Sequence, residues 1–446
     1  MASELQYIEL FSAHRDEIDR CACAPMNALR DEAADCLRRG GFPTRRVERY
    51  KYTDLEATFA PDYGVNLRRV SFPVNPYEAF RCNVPNLSTQ LYFLVNDAFY
   101  DRALPVSPLP EGVRIGSLRT LLSEVPALAA RYGSLARAES DPVAALNTML
   151  AQDGLAVYLP AGTVMPRTVQ LVNLLRSDVD MMANRRILIV AEAGAEASFL
   201  FCDHAMDRCR FLSTQIVEVV AGEGSRIELY GLEETHTDNT CFSHLYVEQQ
   251  ARSRVTTGSV VLHNGVTRNQ TDVVLAGEGA EATLYGCVVA DKQQHVDNNI
   301  LVDHRAASCR SDMLYKYVLD GQSEGAFAGR VLVREGAQHT ESEQVNANVC
   351  VSADARMYTQ PMLEIYADDV KCNHGSTVGQ LDERALFYMR QRGIAESEAR
   401  LLLQHAFVND VVRRIPLEPL RERLSRLVEQ RFRGELDKCS GCNICR

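Results

Sequence analysis

The order of hydrophobic and polar positions divides the chain into three textures. Over residues 1–60 the apolar positions recur at helical spacing, with Leu5, Ile8 and Phe11 on one face. A second helix is predicted from Pro25, a favourable first-turn residue, to Gly40-Gly41. A turn and a basic, aromatic connector follow over Gly41–Leu55. Further helices are predicted at Leu118–Tyr132, interrupted near Pro126, and at Asp141–Gln152, where Asp141 caps and Pro142 takes the first turn. After Gly154 the pattern becomes short β-type runs broken by Gly, Asn and Asp, continuing to about Thr377. Beyond it the helical period returns. Leu381–Gly393 and Ser397–Ile415 read as helices, and Leu420, Leu424, Leu427, Val428 and Phe432 form an apolar stripe.

The middle texture repeats. Glu192–Phe201, Gly222–Gly231 and Gly277–Gly286 each join a small or Gly-rich turn to an alternating strand. Arg334–Gln344 and Ser352–Pro361 are weaker copies. The spacing is about one or two multiples of 25–30 residues, the size of a solenoid coil. No helical linkers separate the runs, so a βαβ sheet is disfavoured. A β-sandwich also gives short strands, but recurrence of one turn–strand unit favours a parallel β-helix. The fold class expected is therefore mainly β: a right-handed parallel β-helix over 154–380, a mostly helical region over 1–153 and a helical region over 381–446. Stacked coils would share one core, and the helical ends would protect the edges.

Composition narrows the function. The 446 residues are 46% hydrophobic and 24% charged, which excludes global disorder. A net charge of -11 disfavours a nucleic-acid partner. The N-terminus lacks an apolar leader segment and no run reaches eighteen apolar residues, so a cytoplasmic chain with no membrane span is expected. Fourteen cysteines in such a chain are mostly thiols. Cys202, Cys209, Cys241, Cys287, Cys309 and Cys350 fall in or beside strands, where packing is the default. His204, His236, His244, His295, His304 and His339 show no metal-ligand spacing, and His263–Asp272 reads as coil-end architecture. Gly222, Gly224, Gly277 and Gly279 precede strands rather than Gly-Lys-Ser/Thr and a helix, so they are turn glycines and not phosphate loops.

Three features carry candidate chemistry. Cys372 and His374 stand two apart, so on a strand they share a face and can jointly hold iron or a nascent cluster. On the residues alone, a buried Cys beside a His bonded to a backbone carbonyl is the favoured alternative. The tail places Cys439, Cys442 and Cys445 as C-x2-C-x2-C, enough for one metal or three corners of a cluster, without a fourth ligand. A disordered tail or an incidental terminal cluster explains the same residues. Val411–Arg446 holds nine Lys/Arg against five Asp/Glu and reads either as a solvated helix face or as a docking surface for an acidic partner.

The run from Tyr315 to Ile394 resembles the shared core of the SufB/SufD family, the scaffold subunits of SUF iron–sulfur cluster assembly. MLEIYADDVKCNHGSTVGQLDE (Met362–Glu383), LFYMRQRGI (Leu386–Ile394) and AFAGRVLVREGAQHTESEQVN (Ala326–Asn346) are the specific pieces. GFPTRRVERYKYTDL resembles an N-terminal element of the family, with Tyr50 where Trp is usual. The resemblance spans about residues 41–415, and length and N-terminal architecture favour the SufD branch over the SufB branch. It implies a non-enzymatic scaffold that pairs with a SufB-like subunit and recruits the SufC ATPase through C-terminal helices. Leu386, Phe387, Tyr388, Arg392 and Phe407 are the docking candidates. It also implies that His374, and less firmly Cys372, lies at the SufB interface. No stably bound cofactor is expected there, only transient iron or an iron–sulfur cluster, and the isolated chain could be a homodimer. The tail departs from the family pattern and inherits nothing. A β-helix carbohydrate-active enzyme is the competing class. It is disfavoured because Trp is absent and no carboxylate pair is evident. An electron carrier built on the tail cysteines is a third.

Overall fold

The computed structural model describes residues 2–70, 75–76, 89–101 and 108–434. Its strands are β1 (Gly64–Val65), β2 (Thr89–Val95), β3 (Ala98–Phe99), β4 (Arg114–Ser117), β5 (Gly154–Leu159), β6 (Thr168–Leu175), β7 (Met181–Ala191), β8 (Glu196–Ala205), β9 (Phe211–Ala221) and β10 (Arg226–Glu234). They continue with β11 (Thr240–Gln249), β12 (Arg254–His263), β13 (Val266–Leu275), β14 (Glu281–Ala290), β15 (His295–His304), β16 (Arg310–Leu319), β17 (Glu324–Val333), β18 (Thr340–Cys350), β19 (Arg356–Ile365) and β20 (Val370–Gly379). From β5 onward the odd strands form one parallel sheet and the even strands another, wound into about eight coils of a β-solenoid. Arg226, Arg254, Glu281, Arg310 and Glu341 are successive register partners and mark the same point of five coils.

Alternation explains the winding. Inward residues of both sheets, among them Ile187, Phe199, Val217, Leu229, Leu284, Tyr317 and Phe327, merge into one continuous core. No coil can bury that face alone, so stacking supplies the stability. The repeated glycines sit at the turns as expected. Gly224 and Gly279 adopt left-handed φ of 65° and 71°. A Cβ on Gly277 would stand 2.0 Å from the Ala251 backbone N of the coil below, so turn stacking itself demands glycine there.

The helices are α1 (Glu4–Arg20), α2 (Ala24–Asn27), α3 (Arg30–Gly40), α4 (Leu55–Phe59), α5 (Leu118–Glu124), α6 (Pro126–Ala129), α7 (Pro142–Leu150), α8 (Glu383–Gln391), α9 (Glu396–Arg413) and α10 (Glu418–Phe432). Asp141 caps α7 by accepting the N–H groups of Val143 and Ala144. The single helix expected from Pro25 to Gly40 is two, because the chain turns at Ala28–Leu29 and Leu29 packs into the cluster under α5 and α6. The strand Thr89–Val95 was not anticipated; it pairs parallel with β6 and extends the even sheet before residue 154.

Among the described residues the helices cover the faces of the solenoid rather than its far edge, which corrects the expectation that helical ends protect the edges. Tyr7, Phe11, Leu37, Leu55 and Phe59 join Met182, Leu212 and Phe242 on the outside of the odd sheet. Val408, Val411, Val412, Leu420, Leu424 and Val428 join Val172, Leu200 and Tyr230 on the outside of the even sheet. The first coils are closed by β4 and β3, which add antiparallel to β5 and β2. At the other end, among the described residues, no strand pairs beyond β19 or β20. Part of the basic C-terminal segment also acts within the chain: Arg431 pairs with Asp291 and Arg414 with Asp312, fastening α10 and the end of α9 to the solenoid.

Candidate functional site

The last coil carries two of the site candidates, Cys372 and His374. No residue of β19 or β20 is buried, although each strand is 10 residues long. Cys372 and His374 pair in register with Ser342 and Gln344 of β18, both buried and inward-facing. The two side chains thus share the inward row, as their spacing predicted, and lie on the exposed end of the solenoid lumen.

Their surroundings differ. Cys372 is half-buried and packs with Leu363 and Val370 against a small apolar cluster around Val331 and Val333. Burial pushes its thiol up, and a backbone hydrogen bond at Ser342 offsets this only in part. His374 is exposed. Beneath it the lumen is polar. Gln344 donates to the Gly329 carbonyl at 3.1 Å, and its buried Oε1 has no protein partner. Thr359 donates to Asn346 Oδ1 at 2.7 Å and shares a 2.7 Å hydrogen bond with Ser376. Ile365 and Tyr366 at the end of β19, and Val378 near the end of β20, are large apolar or aromatic side chains left exposed on this coil. Sequence reasoning passed over these polar groups and the exposed residues of the same coil. The signal was available, since helical texture after Gly379 makes β20 the last strand.

The docking candidates separate into two kinds. Phe387 and Tyr388 on α8 are exposed, at 63% and 59%, and Arg392 lies over the Tyr388 ring at 5.1 Å. Leu386 is buried. Phe407 packs on the even sheet, with Lys316 over its ring at 4.6 Å and donating to its carbonyl at 2.9 Å. Leu386 is thus covered within the chain, while Phe407 is half-buried and turned toward the even sheet. Cys439, Cys442 and Cys445 lie outside the described residues.

Inside the middle coils is a cavity of about 100 Å³ lined by Asp203, Gln215, Glu233, Cys241 and Ser243. Burial, then the neighbouring Asp203, pushes the Glu233 carboxyl up to about 8, and Thr267 donates to it at 2.8 Å. Burial first, then the same two carboxylates, pushes the Cys241 thiol well up, so it is no ready nucleophile. Cys202, Cys287 and Cys309 are buried like Cys241, whereas Cys209 and Cys350 are only half-buried. Burial holds His204, His244 and His304 near 4, as neutral imidazoles. Among the described residues no three His, Cys, Asp or Glu side chains converge as a metal site.

Two family models match adjoining stretches that together run from residue 1 to residue 407. The SufBD core domain of SUF system FeS cluster assembly matches residues 174–407, which is the solenoid from the end of β6 through most of α9. The SufBD protein N-terminal region matches residues 1–171. The chain belongs to the SufBD family. Its SufBD relatives include an iron–sulfur cluster assembly SufBD family protein of Synechocystis, 26% identical over 411 residues and covering 90% of each chain. The iron–sulfur cluster assembly protein SufD of Escherichia coli is 26% identical over 404 residues, 89% of this chain and 91% of that one. A SufBD family protein of Mycobacterium bovis is 33% identical over 223 residues, 48% of this chain and 56% of its own. No helix among the described residues is long and apolar enough to cross a membrane.

Proposed function

We propose that this SufD homologue is a non-enzymatic scaffold subunit that completes its last coil against a SufB-like subunit. The observation that carries the reading is the uncovered pair β19 and β20. A wide, half-apolar strand edge left open is an invitation to pair with another chain, which natural proteins otherwise block. Pairing there would bring His374 to the seam, with Cys372 beside it. Two ligands are too few for a cluster, so the remaining donors would come from the partner. Iron or a nascent cluster is then cargo held transiently. Phe387, Tyr388 and Arg392 form the surface on which a SufC ATPase would dock, and its cycle would strain and open the seam.

Co-purification with SufB and SufC tests the pairing, and absence of any ATP-independent complex counts strongly against it. His374→Ala is expected to leave the complex intact and to lower the cluster yield on anaerobic reconstitution. Unchanged yield removes His374 from the site. Metal analysis with and without residues 435–446 decides whether Cys439, Cys442 and Cys445 contribute. The isolated chain pairing with itself through the same edge would appear as a dimer by light scattering that SufB displaces.

A further inference from the structure

The connector between α3 and α4 runs across the strands of the odd sheet, and its contacts follow the sheet register. Phe242, Arg268, Asp297, Ala326 and Tyr358 are successive partners on β11, β13, β15, β17 and β19. His244, Gln270, Asn299, Ala328 and Gln360 form the adjacent row. Tyr50 donates to Asp141 at 2.6 Å, beside His244, and the Arg268 guanidinium lies over its ring at 4.3 Å. Arg49 pairs with Asp272 and donates to Gln270 at 3.1 Å. Thr53 donates to Asp297 at 2.6 Å, and Arg268 bridges Asp297 and the Arg49 carbonyl. On β17 the outer positions in these rows are the buried alanines Ala326 and Ala328, small enough for a chain to pass close by. At the far end Tyr52 stacks on Tyr358 of β19, centroids 4.9 Å apart and planes 20° apart. Gln360 of β19 donates to Glu48 at 2.6 Å.

The two halves of this connector differ in strength. The inner anchors Tyr50, Thr53, Arg268 and Asp297 are all buried. The outer contacts are not: Glu48 is exposed, and Tyr52 and Gln360 are half-exposed. The geometry points to a strap whose buried half is permanent and whose outer half, Glu48 and Tyr52, is a releasable latch that holds the open terminal coil in register. The N-terminal region thereby sets the order of a coil at the opposite end of the solenoid. The latch rests on these contacts alone and stands whatever binds that coil, so it can fail without the proposed pairing failing, and the reverse.

Peptide-resolved amide hydrogen exchange on the full chain, at a concentration where light scattering shows a monomer, tests it. Tyr52→Ala with Glu48→Ala is expected to speed exchange over Arg356–Ile365 about ten-fold, leaving β13 and β15 unchanged. Tyr52→Phe keeps the stack and is expected to restore protection. Alkylation of Cys372, which packs with Leu363 of β19 against the same apolar cluster, reports the same loosening independently. Unaltered exchange in β19 overturns the latch. Equal acceleration in β13 and β15 overturns it too, since the whole N-terminal region would then have come loose.

Discussion

The early coils and the last coil share one backbone plan and opposite surroundings. Every residue of β7 and β9 is buried, and none of β19 or β20 is. The early strands carry α1, α3, α4 and α7 on their outer face and a neighbouring coil on both sides. The last pair has a coil on one side only. Strand geometry alone therefore does not distinguish a covered coil from an open one in a solenoid. What distinguishes them is whether the next register partner exists. The chain spends its buried charges accordingly. Arg186 and Glu218, both fully buried at 2.8 Å, lie on β7 and β9. Glu218 also accepts the backbone N–H groups of Gly133, Leu135 and Ala136, tying the N-terminal region to the solenoid.

The contrast can be broken at several points. The largest effect is expected from Glu218→Ala, which strands a buried guanidinium and three backbone donors. About 3–5 kcal/mol of stability should be lost in urea unfolding, and a loss below about 1 kcal/mol would show the covered coils to be far more plastic than their burial indicates. Phe199→Ala, at a fully buried inward position of β8, should cost about 3–5 kcal/mol through the cavity it leaves.

Smaller and more specific is the pH response of Glu233. Its folded carboxyl sits near 8 and its unfolded value lies in the ordinary carboxylate range, so the folded state keeps a proton that the unfolded state has released. Stability should fall as pH rises through that window, by about 2 kcal/mol between pH 6.5 and 8.5. Glu233→Gln should flatten the slope; parallel slopes in both proteins would refute the assignment. His244 and His304, held neutral, act with the opposite sign and only below about pH 6.5, where stability falls as they are forced to charge. The smallest effect belongs to the last coil. Tyr366→Ala, 63% exposed, should change stability by less than about 0.5 kcal/mol while weakening capture of the SufB-like subunit proposed above. A stability loss comparable with Phe199→Ala would mean that this coil is already covered.

Much of this was legible in the residues because it is local. Asp141 and Pro142 announce α7 by their own chemistry. Gly224 and Gly279 announce turns, since only a residue without Cβ enters that conformation freely. Cys372 and His374 share a face because a strand has period two. The repeat of turn and strand gave the solenoid, and the quoted motifs gave the family. Thr89–Val95 escaped because it stands apart from the repeats, and its place is set by a partner at Thr168–Leu175.

What the tertiary structure alone decided is which matching residues count as inside, outside or edge. Phe407 and Phe387 are the same residue type on adjacent helices, yet one is packed on the even sheet and the other is exposed, because only α9 lies against β14 and β16. Arg49 and Asp272 are 223 positions apart, and no periodicity links them. Their pairing exists because coil stacking carries β13 beneath the connector. Local chemistry writes the coil into the sequence, and the count of coils fixes where stacking stops, but the groups left facing that last open coil are set by contacts summed over the whole fold.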